Sequence, residues 1–178
     1  MSNYKIIFTG PVGAGKTTAI TALSDVPPVT TDEAASDMTK TMKQSTTVAL
    51  DYGMMKLDGD ERIHLYGTPG QERFDFMWDI LSEGGLGLIL LLDNTRADPF
   101  KDLHFFLESF KEFIAESKLV VGVTRMDLSD NPPLSEYHKQ LDSANINPPV
   151  FAVDARQRRD VYVMTQALLY SLDPGLGG

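Results

Sequence analysis

The octapeptide Gly10-Pro11-Val12-Gly13-Ala14-Gly15-Lys16-Thr17 constrains this chain more than any other segment, because it fits the pattern Gly-x-x-x-x-Gly-Lys-[Ser/Thr]. It lies between a short apolar, β-branched run, Tyr4-Lys5-Ile6-Ile7-Phe8-Thr9, and the stretch Thr17 to Leu23, in which Ile20 and Leu23 share one helical face. A strand, a glycine-rich turn and a helix in that order point successive backbone N–H groups into one concavity. The positive N-terminal end of the helix lies behind them. Such a cradle suits phosphate. Lys16 is expected to reach β and γ phosphates and the Thr17 hydroxyl to ligate Mg2+, while Gly10, Gly13, Ala14, Gly15 and Thr18 complete the contacts to a nucleotide.

With 178 residues and no Pro/Gly/Ser-rich linker, the chain is expected to form a single domain over residues 1–178. A net charge of −9 argues against a nucleic-acid or anionic-lipid surface, and Arg156-Gln157-Arg158-Arg159 is only a local basic patch. A bound anion must therefore be held locally. The absence of cysteine removes disulfides, thiolate metal sites and prenylation. The apolar run Gly85 to Leu92 is too short to span a bilayer, and the first residues lack the regions of a signal peptide. A cytoplasmic setting is expected, with any membrane association supplied by a partner.

Residues 25–45 are polar and turn-rich and read as a long connection. Thr46 to Leu57 and Arg62 to Tyr66, separated by Asp58-Gly59-Asp60, predict a β-hairpin. Gln71 to Leu81 predicts an irregular helix, and Leu86 to Leu92 a buried strand ending in Asp93-Asn94. Asp98-Pro99 caps a helix whose apolar stripe runs through Leu103, Phe106, Leu107, Phe110 and Ile114. Lys118 to Thr124, Leu134 to Ser143, Val150 to Val153 and Val161 to Leu172 follow as strand, helix, strand and helix. This alternation predicts an α/β fold with a mostly parallel sheet covered on both faces, its ligand at the carboxyl ends of the strands.

The order of these sites resembles the small Ras-like GTPases over essentially the whole chain. Thr47-Val48-Ala49-Leu50-Asp51 is similar to the first switch of Rab proteins, with Thr46 competing with Thr47 for the threonine. Gly67-Thr68-Pro69-Gly70-Gln71-Glu72-Arg73-Phe74 resembles the second switch, usually Asp-Thr-Ala-Gly-Gln-Glu-Arg-Phe. The resemblance implies a three-layer G domain with a six-stranded sheet and one antiparallel strand. Thr47 would join Thr17 on Mg2+ and touch the γ-phosphate only in the triphosphate state, Gly70 would give its N–H to that phosphate, and catalysis would rest on Gln71 orienting the attacking water and Lys16 neutralising phosphate charge. Thr124-Arg125-Met126-Asp127 and Asp154-Ala155-Arg156 stand where the family has Asn-Lys-x-Asp and Ser-Ala-Lys. Asp127 would accept from guanine N1–H and its 2-amino group, and the Ala155 N–H would donate to O6.

Several positions depart from the family. Gly67 replaces the aspartate that holds a metal-bound water, which leaves Asp51 as a substitute acid. Thr124 and Arg125 forgo an amide contact to the base but keep a cation able to cover the ring. Val12 adds bulk beside the catalytic glutamine, and Pro69 stiffens the second switch. Thr68-Pro69-Gly70-Gln71, the loop proline and the missing acid together resemble bacterial GTPases of the MglA type, whose partners are often roadblock-fold proteins. Phe74, Phe76, Met77, Trp78, Met54 and Met55 read either as a surface where a regulator or effector docks, or as core. His64, His104 and His138 show no metal-ligand spacing. The expected function is a GTP/GDP switch with slow hydrolysis. A pseudo-GTPase module and a P-loop ATPase or small-molecule kinase are the alternatives.

Overall fold

A computed structural model describes residues 3–29, 51–68 and 84–172. Its strands are β1 (Asn3–Thr9), β2 (Asp51–Lys56), β3 (Arg62–Gly67), β4 (Gly87–Asp93), β5 (Lys118–Thr124) and β6 (Val150–Val153). The helices are α1 (Lys16–Leu23), α2 (Pro99–Ser109), α3 (Lys111–Glu116), α4 (Leu134–Ser143) and α5 (Arg158–Leu172). The strands form one sheet in the order β2-β3-β1-β4-β5-β6. β2 runs antiparallel to β3, and every other pairing is parallel.

Burial explains why the sheet lies between two layers. Every residue of β4 is buried, and an uninterrupted apolar strand needs cover on both faces. Ile89 and Leu91 join Ile6 and Phe8 in the core beneath α1 and α5. Leu88, Leu90 and Leu92 join Ile7 in the core beneath α2 and α4. Each such side chain contributes about 1.5–3 kcal/mol on burial, enough to outweigh local propensity in setting this strand at the centre.

Most boundaries agree with the sequence pattern. β5, α4 and β6 span the expected residues, and the hairpin turns at Asp58-Gly59-Asp60, closed by the Leu57 N–H on the Glu61 carbonyl at 2.9 Å. Of the strand expected from Thr46, Asp51–Lys56 is seen, while Thr46 to Leu50 and the helix expected over Gln71 to Leu81 lie outside the described residues. Asp98 caps α2 as expected, its carboxylate accepting from the Lys101 N–H at 3.1 Å, with Pro99 in the first turn.

Two helices differ from the expectation. The stripe through Ile114 is not one helix, because the chain leaves α2 at Phe110 and restarts as α3. Ser109 Oγ donates to the Phe105 carbonyl at 2.8 Å, a back-bond of the kind that bends helices, while Phe110 stays buried. α5 begins at Arg158, a turn before Val161, and Asp160 in its first turn accepts from the Asp154 N–H at 2.8 Å. The Arg158 guanidinium joins α5 to the end of α1, donating to the Leu23 carbonyl at 3.0 Å and pairing with Asp25 at 2.9 Å. With Arg156 paired to Asp154, two of the three arginines in the basic patch have carboxylate partners. Among the described residues no helix is long and apolar enough to cross a membrane.

Candidate functional site

The loop after β1, Asp93 at the end of β4, Thr124 at the end of β5 and the turn after β6 all lie at the carboxyl edge of the parallel strands. Open α/β sheets bind ligands along this edge.

Gly10, Gly13 and Gly15 take φ values of 148°, 83° and 106°. At Gly10 the requirement is steric as well as conformational, since a Cβ there would lie 2.1 Å from the Leu91 carbonyl oxygen. The loop can therefore press against β4 only as glycine. Gly15 caps α1 without any side-chain hydrogen bond, so the N–H groups of the first helical turn have no side-chain acceptor at the cap. Lys16 is buried and folds back over the loop, its Nζ donating to the carbonyls of Gly10 at 2.7 Å and Pro11 at 2.8 Å. Burial lowers its pKa to about 8; the Asp51 carboxylate opposes the shift and the Arg96 guanidinium adds to it. Thr17 Oγ1 donates to Asp51 Oδ2 at 2.5 Å. Val12 points outward at 57% exposure.

A cleft of about 290 Å3 opens beside the loop. It gathers three segments far apart in sequence: Ala14, Gly15 and Thr18; Thr124, Arg125, Asp127 and Leu128; and Val153, Asp154, Ala155 and Arg156. The expected base-reading residues are thus brought against the expected phosphate loop. Asp127 is exposed within the cleft, and Leu128 presents an apolar side chain at 70% exposure. The amides flanking Ala155 are occupied, that of Asp154 by Asp160 Oδ2 and that of Arg156 by Asp154 Oδ1 at 3.0 Å. The Arg156 guanidinium grips Asp154 through two bonds of 2.9 Å, which hold the Asp154 carboxyl below its usual range. A larger hollow of about 590 Å3 lies at Gly84-Gly85 and the α2–α3 turn, and contains none of the motif residues.

Thr124 and Arg125 brace the loop. Thr124 is buried, and its Oγ1 lies 3.0 Å from the Ala14 carbonyl and 3.1 Å from that of Leu92, sharing one proton between loop and β4. Arg125 adopts φ 61° and donates from Nη1 to the Gly13 carbonyl at 2.7 Å. The same nitrogen pairs with Asp93 Oδ2. Burial would raise the Asp93 carboxyl, but hydrogen bonds from the Thr95 hydroxyl and amide, with Arg125, outweigh it and hold the group below its usual range. The cation expected over a base is therefore anchored between loop and sheet.

Sequence reasoning missed Asp93 and the neighbouring Asn94–Tyr137 brace. Tyr137 Oη donates to Asn94 Oδ1 at 2.7 Å, and Asn94 Nδ2 donates to the carbonyls of Ser129 at 2.6 Å and Pro132 at 3.1 Å. Burial, with the carboxylates of Asp93 and Asp102, pushes the Tyr137 phenol up, so it remains a donor. The available signal was a polar Asp93-Asn94-Thr95 immediately after the most apolar strand, at the ligand-binding edge.

Met54 and Met55, considered as docking residues, lie on β2 itself and are buried in the core. His64 lies against Tyr52, whose Oη is 2.8 Å from its Nδ1, and His104 lies against Gln140. No cluster of three His, Cys, Asp or Glu side chains suited to a metal occurs among the described residues. Thr46, Thr47, Gly70 and Gln71, with Phe74, Phe76, Met77 and Trp78, lie outside the described residues.

The glycine loop at the end of β1 and the cleft beside it, on a six-stranded mostly parallel sheet, define a nucleotide-binding P-loop NTPase. The model of the family described as "Conserved hypothetical ATP binding protein" matches residues 8–168, and the chain belongs to that family. The chain is 27% identical over 128 residues to Uncharacterized protein MJ1339 of Methanocaldococcus jannaschii, covering 71% of this chain and 72% of that protein. It is 25% identical over 169 residues to the GTP-binding protein YPT1 of Saccharomyces cerevisiae, covering 90% and 75%. It is 27% identical over 137 residues to the Ras-related protein Rab-10 of Caenorhabditis elegans, covering 74% of this chain and 62% of that relative, less than two thirds of its length.

Proposed function

We propose that this protein is a single-domain, cytoplasmic GTP/GDP switch of the bacterial MglA type that hydrolyses GTP slowly. The observation that carries this reading is the cleft in which Asp127 and the Asp154-Ala155-Arg156 turn meet Ala14, Gly15 and Thr18. A carboxylate accepts two hydrogen bonds from guanine N1–H and the 2-amino group, a pairing that adenine does not offer. The Ala155 N–H would complete recognition at O6. Lys16, now resting on two loop carbonyls, would transfer its charge to the β and γ phosphates together with the amides of Gly13, Gly15 and Thr17.

Mg2+ held by Thr17 and Thr47 would offset the charge between the phosphates. Gln71 would orient the attacking water and Gly70 would bind the γ-phosphate, so that the two switch segments order with triphosphate and release after hydrolysis. A regulator or effector, of the roadblock-fold class, would read the ordered segments. Val12 in the phosphate loop would slow turnover. The names of two relatives, a GTP-binding protein and a Ras-related protein, support the guanine reading.

A second reading, a P-loop ATPase, is favoured by the family's ATP-binding description and by Thr124 and Arg125 in place of asparagine and lysine. Calorimetry with GDP, a non-hydrolysable GTP analogue and ADP, on wild type and Asp127→Ala, separates the two. The guanine reading expects wild-type preference for guanine nucleotides of at least about tenfold, about 1.4 kcal/mol, that is lost in Asp127→Ala. Preference for ADP would reject it in favour of the ATPase. Equal binding with no effect of Asp127 would remove base reading from this cleft.

A further inference from the structure

β2 is the outermost strand of the sheet, with β3 on one side only. An edge strand presents a row of backbone N–H and C=O groups that another chain can pair with, and proteins cover such edges. Here the cover is residues 24–29, which follow α1 and run antiparallel along the outside of β2. The outward amides of β2, at Tyr52, Met54 and Lys56, all find acceptors in this stretch. Tyr52 N–H donates to the Val29 carbonyl at 2.8 Å, Met54 N–H to Ser24 Oγ at 3.1 Å and Lys56 N–H to Asp25 Oδ2 at 2.7 Å. The carbonyls of Tyr52 and Met54 accept from the Val29 N–H at 3.0 Å and the Asp25 N–H at 2.7 Å.

The two ends of this strap are held unequally. At the root Ser24 is pressed against β2 so closely that a Cβ on Gly53 would lie 2.9 Å from Ser24 Cβ and 2.8 Å from Ile20 Cγ2. Asp25 adds a latch, its Oδ2 holding Lys56 while Oδ1 pairs with Arg158 of α5 at 2.9 Å. The Lys56 N–H, with Arg158, keeps that carboxyl below its usual range. Pro27 and Pro28 follow, and neither has an N–H to give. The far end rests on the Val29–Tyr52 bridge, with Val29 54% exposed and none of residues 25–29 buried. A segment held by exposed hydrogen bonds with little apolar burial opens at low free energy.

We infer that residues 24–29 are a guard on the sheet edge, latched at Asp25 and releasable at Val29, which keeps β2 closed to a strand from another molecule. This gives a reason for the fixed course of a stretch that buries no side chain after its root. Its backbone and two of its side chains occupy the hydrogen bonds that a second copy of this chain would otherwise use, β2 against β2. The guard acts at the sheet edge, apart from the cleft, and needs no nucleotide.

The test follows amide hydrogen exchange residue by residue, by nuclear magnetic resonance, in wild type, Asp25→Ala and Val29→Pro, with sedimentation equilibrium over a range of concentrations. Amides of β4 and β5 report whether the fold is intact. Asp25→Ala should lower protection at Tyr52, Met54 and Lys56 by at least about tenfold while β4 and β5 keep theirs. It should also associate through the freed edge, beyond any association of wild type, and protection at the three amides should return as its concentration rises. Val29→Pro, which removes one donor at an exposed position, should lower protection at Tyr52 and leave Met54 and Lys56 near wild type. If alanine also loosens β4 and β5, Asp25→Asn, a milder opening, is read by the same criteria. Wild-type protection at all three amides without the Asp25 carboxylate would overturn the latch. An opened edge that stays as monomeric as wild type at every concentration would overturn the guard, and Val29→Pro loosening all three amides alike would overturn the two-point attachment.

Discussion

In the protein free of metal and nucleotide, Lys16 holds its charge at a cost in stability that fades as pH rises. Burial lowers its pKa from 10.5 to about 8, so between these values the unfolded chain binds more protons than the folded one. Stability then increases with pH: the penalty is fully present below the folded value and disappears above the unfolded one. The shift corresponds to a penalty of about 3 kcal/mol at neutral pH, of which about 2 kcal/mol should be relieved between roughly pH 7 and 9.5. Lys16→Met removes the titrating group and keeps most of the aliphatic bulk. Urea unfolding of both proteins in EDTA, at several pH values across that range, isolates the effect, because the other titrating groups are common to both. Wild type should gain on the variant by about 2 kcal/mol from the low to the high end. A difference between the two that stays constant to within about 0.5 kcal/mol would refute the reasoning and show that the loop carbonyls fully compensate the ammonium.

Gly10→Ala forces a Cβ to within 2.1 Å of the Leu91 carbonyl oxygen at φ 148°, and neither backbone can retreat without breaking the β1–β4 pairing. Loss of about 3 kcal/mol or more in the urea midpoint analysis is expected, and a loss under about 1 kcal/mol would contradict the close packing. Thr124→Val keeps the shape but removes the proton shared between the Ala14 and Leu92 carbonyls, which should cost about 1–2 kcal/mol in stability and weaken nucleotide binding. Thr124→Ser, which keeps the hydroxyl, should stay close to wild type in the same unfolding and calorimetric assays, and a Thr124→Val variant as stable and as tight-binding as wild type would refute the role of the shared proton.

The periodicity of the chain made its elements legible. The runs forming β4, β5 and α4 stand out as apolar or amphipathic blocks bounded by turn residues, and their limits in the structure lie close to those read from the pattern. The break at Phe110 was not legible, because Phe110 and Ile114 continue the α2 stripe and the bend comes from a Ser109 back-bond that periodicity does not register. Met54 and Met55 were ambiguous for a related reason: alternation places residues on faces but does not say which face has a neighbour. Asp93 was read only as a strand end, and became part of the bracing of the loop when the left-handed turn at Arg125 brought a guanidinium to it.

What the sequence by itself determined is the local chemistry of the phosphate loop. Gly-x-x-x-x-Gly-Lys-Thr between a strand and a helix dictates a run of backbone amides at a helix N-terminus, and that follows from bonds along one short segment. Only the tertiary structure decided which distant groups serve the loop. Residues 13–14 meet 124–125 because β1, β4 and β5 are adjacent in one sheet, and Asp51 reaches Thr17 because β2 runs antiparallel to β3 and delivers its first residue to the sheet's ligand edge. Strand order and register are set by burial summed over the whole core, a quantity that no single motif contains.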